Sequence, residues 1–520
     1  MIACGLLLLA LTCVPGPWMP DLDAQEPDRI PVHQVRAEDL APELDSLFDE
    51  STATVRDSMA AHDVPGLAIA VVDRDRILWT AGFGVRDRDT GEPVTPETVF
   101  SVQSISKLFT AVTAMRAVEE GILDLDADVT DYLPDFTVNS RFSEDPVSRM
   151  TVRHLLRHAA GFPHEAPVGN NWDAYSPSME AHVRSISDTW LEFPVGTDHA
   201  YSNLGYDLVG YIIQKQSGRR YQEYMREELL DPLGMTASFV DTAGQRLCPS
   251  CAAGHRTIFD SMPEYVPMTA SGGVRATADN AARFAQFLLR FGETPDGARI
   301  LGASSFDEIY RPTGQARDRG WPDRWFGMGV IVERGTGDDY LLHTHGGGFG
   351  YRASLQWMPE LGIGAAVFTN SDDHDQIDAD LAVAVLDSMA ARELVEEVDA
   401  PGVPRAASFF KNLPDTTVYR STDTTLAPTP YREEWKRYAG TYRLIRGEGY
   451  EYAPSADLSR FEVEITEKDG HLHFGSEPLI EHEPGLFFGA ESGVPLDFRD
   501  DPPTWANIEL ERVETASTGE

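Results

Sequence analysis

Lys107 is one of only five lysines in a chain that carries 38 arginines, and it follows Ser104 by three residues at the head of an apolar run. On a helix this spacing puts hydroxyl and amine on one face, one turn apart. A guanidinium stays charged, whereas a buried amine can give up its proton, so a lysine kept among so many arginines suits a proton acceptor. Ser-x-x-Lys therefore reads as a serine nucleophile activated by lysine, against the plain alternative of a surface lysine on a helix.

Two further groups could share that chemistry. Tyr201-Ser-Asn203 sits where a loop enters an apolar helix, so the phenol could act as base or proton relay and the amide as an orienting dipole; its plain alternative is an N-cap with a core tyrosine. The run from His343 through His345, Gly346, Gly347 and Gly348 to Gly350, just ahead of two apolar strands, lets backbone approach a ligand closely and present an N–H to an oxyanion. His343 and His345 could also ligate zinc, but no third and fourth ligand lies at a familiar spacing and no H-E-x-x-H occurs, so no metal and no cofactor are expected. Cys248 and Cys251 could form a local disulfide, remain a free pair or make half of a zinc site.

The elements that must position these residues follow from periodicity. An amphipathic helix is expected over 42–64, paired strands at 66–72 and 77–81, and a buried helix over 104–120 that places Ile105, Leu108, Phe109, Val112 and Met115 on one stripe. Loops and short helices fill 121–200, and helices follow near 203–217, 219–231 and 278–291. Strands come next at 326–332, 351–358 and 363–370, closed by a helix over 375–391. The expected fold is α/β (α+β): an antiparallel sheet flanked by helices plus a helical subdomain, together spanning 42–395. Residues 396–430, rich in Pro and Thr, read as a linker. Alternating segments with an Asp469-Gly470 turn make 431–516 a small all-β C-terminal barrel.

Taken in order, Ser104-x-x-Lys107, Tyr201-x-Asn203 and His345-x-Gly347 resemble the serine β-lactamase-like family, in the branch of class C β-lactamases, D-stereospecific peptidases and esterases within the penicillin-binding-protein-like serine hydrolases. Thr151–Leu156 with His158, Gly161-Phe162, Asp231–Met235 and Ala270–Gly273 extend the likeness over about 45–392. The resemblance implies an acyl-enzyme on Ser104, with Lys107 and Tyr201 sharing the general-base work. It implies that Asn203 orients Lys107 or the substrate, that His345, Gly346 and Gly347 line the substrate, and that the N–H groups of Ser104 and Gly348 form the oxyanion hole. His345 stands where many relatives carry a lysine that holds a substrate carboxylate. This favours peptide, amide or ester cleavage over a true β-lactamase or D,D-carboxypeptidase. The C-terminal segment, opening Tyr438-Ala-Gly-Thr-Tyr442, resembles the lipocalin-like barrels that often follow this catalytic unit. A non-catalytic binding protein on the same fold is the reading from another class.

Composition narrows the partners. A net charge of −41 repels phosphate backbones and anionic headgroups, so no nucleic acid and no basic-face membrane binding are expected, and a small-molecule or short-peptide substrate is. Residues 2–14, too short to span a bilayer, read as the apolar core of a signal peptide ending near residue 24, hence an exported, periplasmic or extracellular protein, with Cys13 in a poor lipobox; no other run reaches the length of a membrane span either. Neither the leaving group nor the oligomeric state is written in the sequence.

Overall fold

A computed structural model describes residues 26–169, 177–240, 248–256, 268–312, 314–315, 324–334, 340–374, 376–395, 428–444, 462–490, 494–499, 501–505 and 508–513. The expected signal peptide and nearly all of the expected linker lie outside them. The chain divides into two compact units, one of Pro17–Leu125 with Val209–Val418, the other of Asp126–Leu208 with Tyr419–Glu520 and the first sixteen residues. Among the described residues no helix is long and apolar enough to cross a membrane.

The first unit is built on a nine-stranded antiparallel sheet. Its strands are β1 (Val32–Arg36), β2 (Gly66–Asp73), β3 (Ile77–Gly84), β6 (Gly314–Gln315), β7 (Arg324–Phe326), β8 (Ile331–Arg334), β9 (Tyr340–Gly348), β10 (Tyr351–Met358) and β11 (Ile363–Thr369), in the order β1-β3-β2-β11-β10-β9-β8-β7-β6. A separate two-stranded sheet pairs β4 (Phe100–Ser101) with β5 (Arg275–Ala276). Strands from the two ends of the unit meet at the centre, with Ile69 opposite Val367. β2 and β11 read as nearly unbroken apolar runs because helices cover both faces of a buried sheet. Helices α1 (Pro42–Ala61) and α5 (Ile377–Ala391) pack on one face with Phe48, Trp79, Leu381 and Leu386 in the core. Helices α2 (Ser106–Glu119) and α4 (Ala278–Leu289) join through the stacked rings of Phe109 and Phe284, 3.8 Å apart. Fully burying one such side chain contributes about 1.5–3 kcal/mol.

Two local expectations are corrected. The single strand foreseen over 326–332 is a hairpin, β7 and β8, because Gly329 takes φ +69° and Gly327 N–H bonds Val330 O at 2.8 Å. The His343–Gly348 run does not precede a strand but is one: it forms the second half of β9 and pairs with β10 through a two-residue turn, Phe349-Gly350, both at positive φ.

The second unit holds the helical insertion and the barrel. Short helices at Val129–Tyr132, Val152–Leu156 and Met179–Ser185 are tied by loops, the second by a reciprocal Thr151/His154 cap. Helix α3 (Asn203–Ser217) begins at the end of this insertion. Strands β12–β19, from β12 (Gly440–Leu444) to β18 (Thr504–Trp505) and β19 (Ile508–Arg512), form a closed barrel. Asp469-Gly470 makes the expected hairpin turn between Lys468 and His471. Trp435, Tyr442, Ile465, Leu472, Phe487 and Leu510 pack the barrel core. Within the unit, Trp190 of the insertion stacks edge-on against Phe488 of the barrel at 5.6 Å, and the Arg141 guanidinium lies 4.4 Å over the same ring.

Candidate active site

Helix α2 is buried from Ser106 through Met115 on every side, which suits its Ala, Thr and Val composition and makes it a core rod rather than a surface helix. It is entered through a single 3-10 turn, Gln103–Ile105. Gln103 sits at φ +49°, a sparsely populated conformation for a residue with a side chain, and its amide is held by Ser101 Oγ at 2.9 Å. From Ser101 to Thr110, Ser104 alone keeps appreciable exposure. The strained turn thus lifts one hydroxyl out of an otherwise buried segment.

Lys107 is 2% exposed, and its Nζ donates to Ser104 Oγ at 3.1 Å and to Ser271 O at 2.9 Å. Ser271 belongs to the Ala270–Gly273 stretch, whose Ala270 O accepts from Thr110 Oγ1 at 2.6 Å; just beyond it, Val274 N donates to Ser106 Oγ at 2.9 Å. The stretch therefore fixes the first turn of α2 and aims the lysine, a role that its sequence alone does not reveal. β9 closes the other side. A Cβ at Gly346 would stand 2.2 Å from Val102 O and 2.9 Å from Ser104 N, so only glycine lets the strand pass against the turn that carries Ser104. Cys248 and Cys251 are joined by a disulfide, and their loop braces Val99, just upstream, through Val99 N to Ser250 O at 3.0 Å and Ala252 N to Val99 O at 2.9 Å.

His345 does not share the face of Gly346. Strand alternation puts His345 and Gly347 on the opposite side, with His343. There His345 Nε2 lies 2.6 Å from His343 Nδ1, and His343 Nε2 lies 3.4 Å from Glu333 Oε2. Burial holds His343 below its usual pKa despite Glu333, and burial with the neighbouring His343 and Arg352 holds His345 well below it. Two neutral rings sharing one hydrogen bond fit that contact. Among the described residues no group of three or more His, Cys, Asp or Glu side chains could hold a metal ion.

Tyr201 and Asn203 belong to the other unit, where they are brought together with segment 158–165. Asn203 opens α3, as expected. Ser202 N–H donates to His158 Nδ1 at 3.2 Å, Ser202 Oγ donates to Pro163 O at 2.6 Å, and Asn203 N–H donates to His164 O at 3.2 Å. The Tyr201 ring lies 4.7 Å from the His158 ring and 5.5 Å from that of His164. Asn203 Nδ2 donates to Glu165 Oε1 at 3.1 Å. Deeper in the unit, His182 Nε2 lies 3.3 Å from Asp207 Oδ2 with both side chains buried. Burial opposes the charge of His182, yet the Asp207 carboxylate raises its pKa above the usual value. The contacts of His164 and Glu165 are not legible in the sequence, since an adjacent His-Glu pair in a loop carries no periodic or spacing signal.

A half-buried serine and a buried lysine at the head of a core helix, set against an antiparallel sheet, define a serine hydrolase of the penicillin-binding-protein and β-lactamase fold. The sequence model of the family described as Beta-lactamase matches residues 52–389. Penicillin-binding protein 4 of Amycolatopsis lactamdurans is 30% identical over 362 residues, 66% of this chain and 91% of that protein. The unguisins hydrolase ungD' of Aspergillus campestris is 25% identical over 351 residues, 65% of this chain and 63% of that one. The octameric penicillin-binding protein homologue from Pyrococcus abyssi shares the fold at TM-score 0.58 and 22% identity, over 89% of this chain and 99% of its own. The chain belongs to the Beta-lactamase family.

Proposed function

We propose that the protein is an exported serine hydrolase that cleaves a peptide, amide or ester bond through an acyl-enzyme on Ser104. The observation that carries this reading is the 3.1 Å contact between Lys107 Nζ and Ser104 Oγ, with the amine buried and the hydroxyl not. In the proposed reaction Ser104 Oγ attacks the acyl carbonyl while its proton passes to Lys107 or Tyr201. The oxyanion is met by the N–H groups of Ser104 and Gly348, the leaving group takes the proton, and water releases the acyl group by the reverse sequence. The name of the Amycolatopsis relative favours D,D-carboxypeptidase or β-lactam chemistry as a second reading. Against it, a neutral His345 offers a substrate carboxylate no cation. Export is supported by the apolar run at 2–14 and fits the disulfide.

The test is covalent labelling with a fluorophosphonate, read by mass spectrometry. Its companion is a substrate panel of a chromogenic cephalosporin, D-amino-acid amides and short-chain esters. The expected result is label on Ser104, absent from Ser104→Ala, with amides or esters turned over faster than the cephalosporin. Equal labelling of Ser104→Ala sinks the assignment.

A further inference from the structure

Glu165 is 4% exposed, a depth at which a carboxylate is rarely found unless it is held by donors. Its Oε1 has two of them, Asn203 Nδ2 at 3.1 Å and His164 Nδ1 at 2.6 Å. A carboxylate cannot donate. The Asn203 amide must therefore turn its NH2 toward Glu165, which directs Oδ1 the other way. The bonds already described hold Ser202 and Asn203 against Pro163 and His164, so the backbone that carries the amide is pinned to the segment that carries the acid. The same carboxylate anchors His164, whose ring lies at 27° to the Tyr201 ring. One buried acid thus touches both ends of the Tyr201-Ser-Asn203 motif, directly at Asn203 and through a histidine at Tyr201.

We infer that Glu165 is a positioning residue for the acylation step, locking the Asn203 amide so that it presents an acceptor oxygen and steadying His164 over Tyr201. The inference rests on the reading of Ser104 as nucleophile. An amide not fixed by an acceptor-only partner could settle with its NH2 turned outward, and a cation or N–H brought to it would then meet a donor instead of an acceptor. A fixed acceptor removes that loss before substrate arrives.

The experiment uses the full-length protein and four forms of it: wild type, Glu165→Gln, Asn203→Asp, and the double variant in which amide and carboxylate trade places. Each is measured for the rate of fluorophosphonate labelling at Ser104, for kcat and KM on one short-chain ester, and for Tm. Glu165→Gln keeps the shape but can turn Nε2 as readily as Oε1 toward Asn203, so it no longer dictates which end of that amide faces it, and labelling and kcat should fall roughly 10- to 100-fold with KM nearly constant. Asn203→Asp sets two carboxylates against each other and should fall further. In the double variant the amide now at position 165 can donate to the carboxylate now at position 203, and at least a tenfold part of the Asn203→Asp loss should return. A wild-type labelling rate in Glu165→Gln overturns the inference while leaving Ser104 as nucleophile. So do independent losses in the double variant, or losses that merely track the unfolded fraction at each temperature. Absence of label on wild-type Ser104 overturns instead the reading on which the inference stands.

Discussion

Ser104 with Lys107, and Tyr201 with Asn203, are two side-chain pairs of similar span that are held in place by opposite means. The first is held mainly by chain proximity: Ser104 in the 3-10 turn and Lys107 in the first turn of α2 are three residues apart, and Ser271 O accepts from the same lysine amine that meets Ser104 Oγ. The second pair is only two residues apart, but a separate segment, 158–165, supplies two rings beside Tyr201 and a carboxylate to Asn203. A helix can be relied on to deliver a constant i, i+3 spacing, whereas a loop reaches equal precision only by adding hydrogen bonds from outside. The Ser104 pair should therefore be sensitive to changes of chemistry, and the Tyr201 pair to changes of scaffold.

The sharpest way to break the comparison is Lys107→Arg, which keeps charge and helix propensity while removing the capacity to take a proton. Acylation should drop by about 10²- to 10⁴-fold with little change in Tm. Lys215→Arg, on the surface-exposed end of α3, serves as the matched control with near-normal rates. Steady-state rates and melting curves on the pair decide it; near-normal turnover in Lys107→Arg would make Lys107 only a fixed charge and leave Tyr201 as the base. A smaller effect, acting on scaffold within the unit that carries Ser104, is expected from Gly346→Ala. Its methyl must push β9 off Val102 O, and a displacement of that order costs roughly 10²-fold in rate without touching a reacting group. Labelling of Ser104 at wild-type speed in Gly346→Ala would show that β9 is free to give way.

The smallest expected effect is in pH dependence, where two buried histidines, His374 in one unit and His182 in the other, have opposite signs. Burial depresses His374, bonded to Thr369 and near Arg352, to about 3. Its contribution to stability is complete above its unfolded pKa near 6.5 and is lost as pH falls toward 3; Asp372, raised by burial to about 6, opposes it over part of that window. His182 is raised by Asp207, so its contribution is complete below about 6.5 and is lost as pH rises through its folded value. His374→Gln should flatten the acid limb of a Tm-against-pH curve, and His182→Gln the limb above neutrality. A change worth 1 kcal/mol moves Tm by roughly 2–4 °C in units of this size. The same slope change in both variants would contradict the assigned signs.

The sequence exposes what is local. Ser-x-x-Lys on a helix, the entry of Tyr201-Ser-Asn203 into α3, the central strands and the Asp469-Gly470 hairpin all rest on contacts within a few residues, so periodicity and turn chemistry suffice. β9 escaped notice because His343-Thr-His345 followed by three glycines has no apolar alternation; it becomes a strand only by pairing with β10. β1 escaped because an edge strand with exposed Val35 buries too little to leave a pattern. The hairpin at 327–330 was hidden by apolar residues on both sides of Gly329. Glu165 was beyond reach for another reason, since its meaning lies in Asn203, 38 residues away.

Barrel closure has a consequence in the order of synthesis. The first barrel strand, Gly440–Leu444, finds one of its two neighbours in the last, with Tyr442 opposite Arg512. At ordinary elongation rates the ribosome needs on the order of ten seconds to travel that distance. Throughout that interval β12 presents an open edge, and a product that terminates before Ile508 would present it for its whole life, with β18 as a second edge. The last five residues of the barrel, Ile508–Arg512, therefore separate a finished molecule from one that seeks strands in its neighbours.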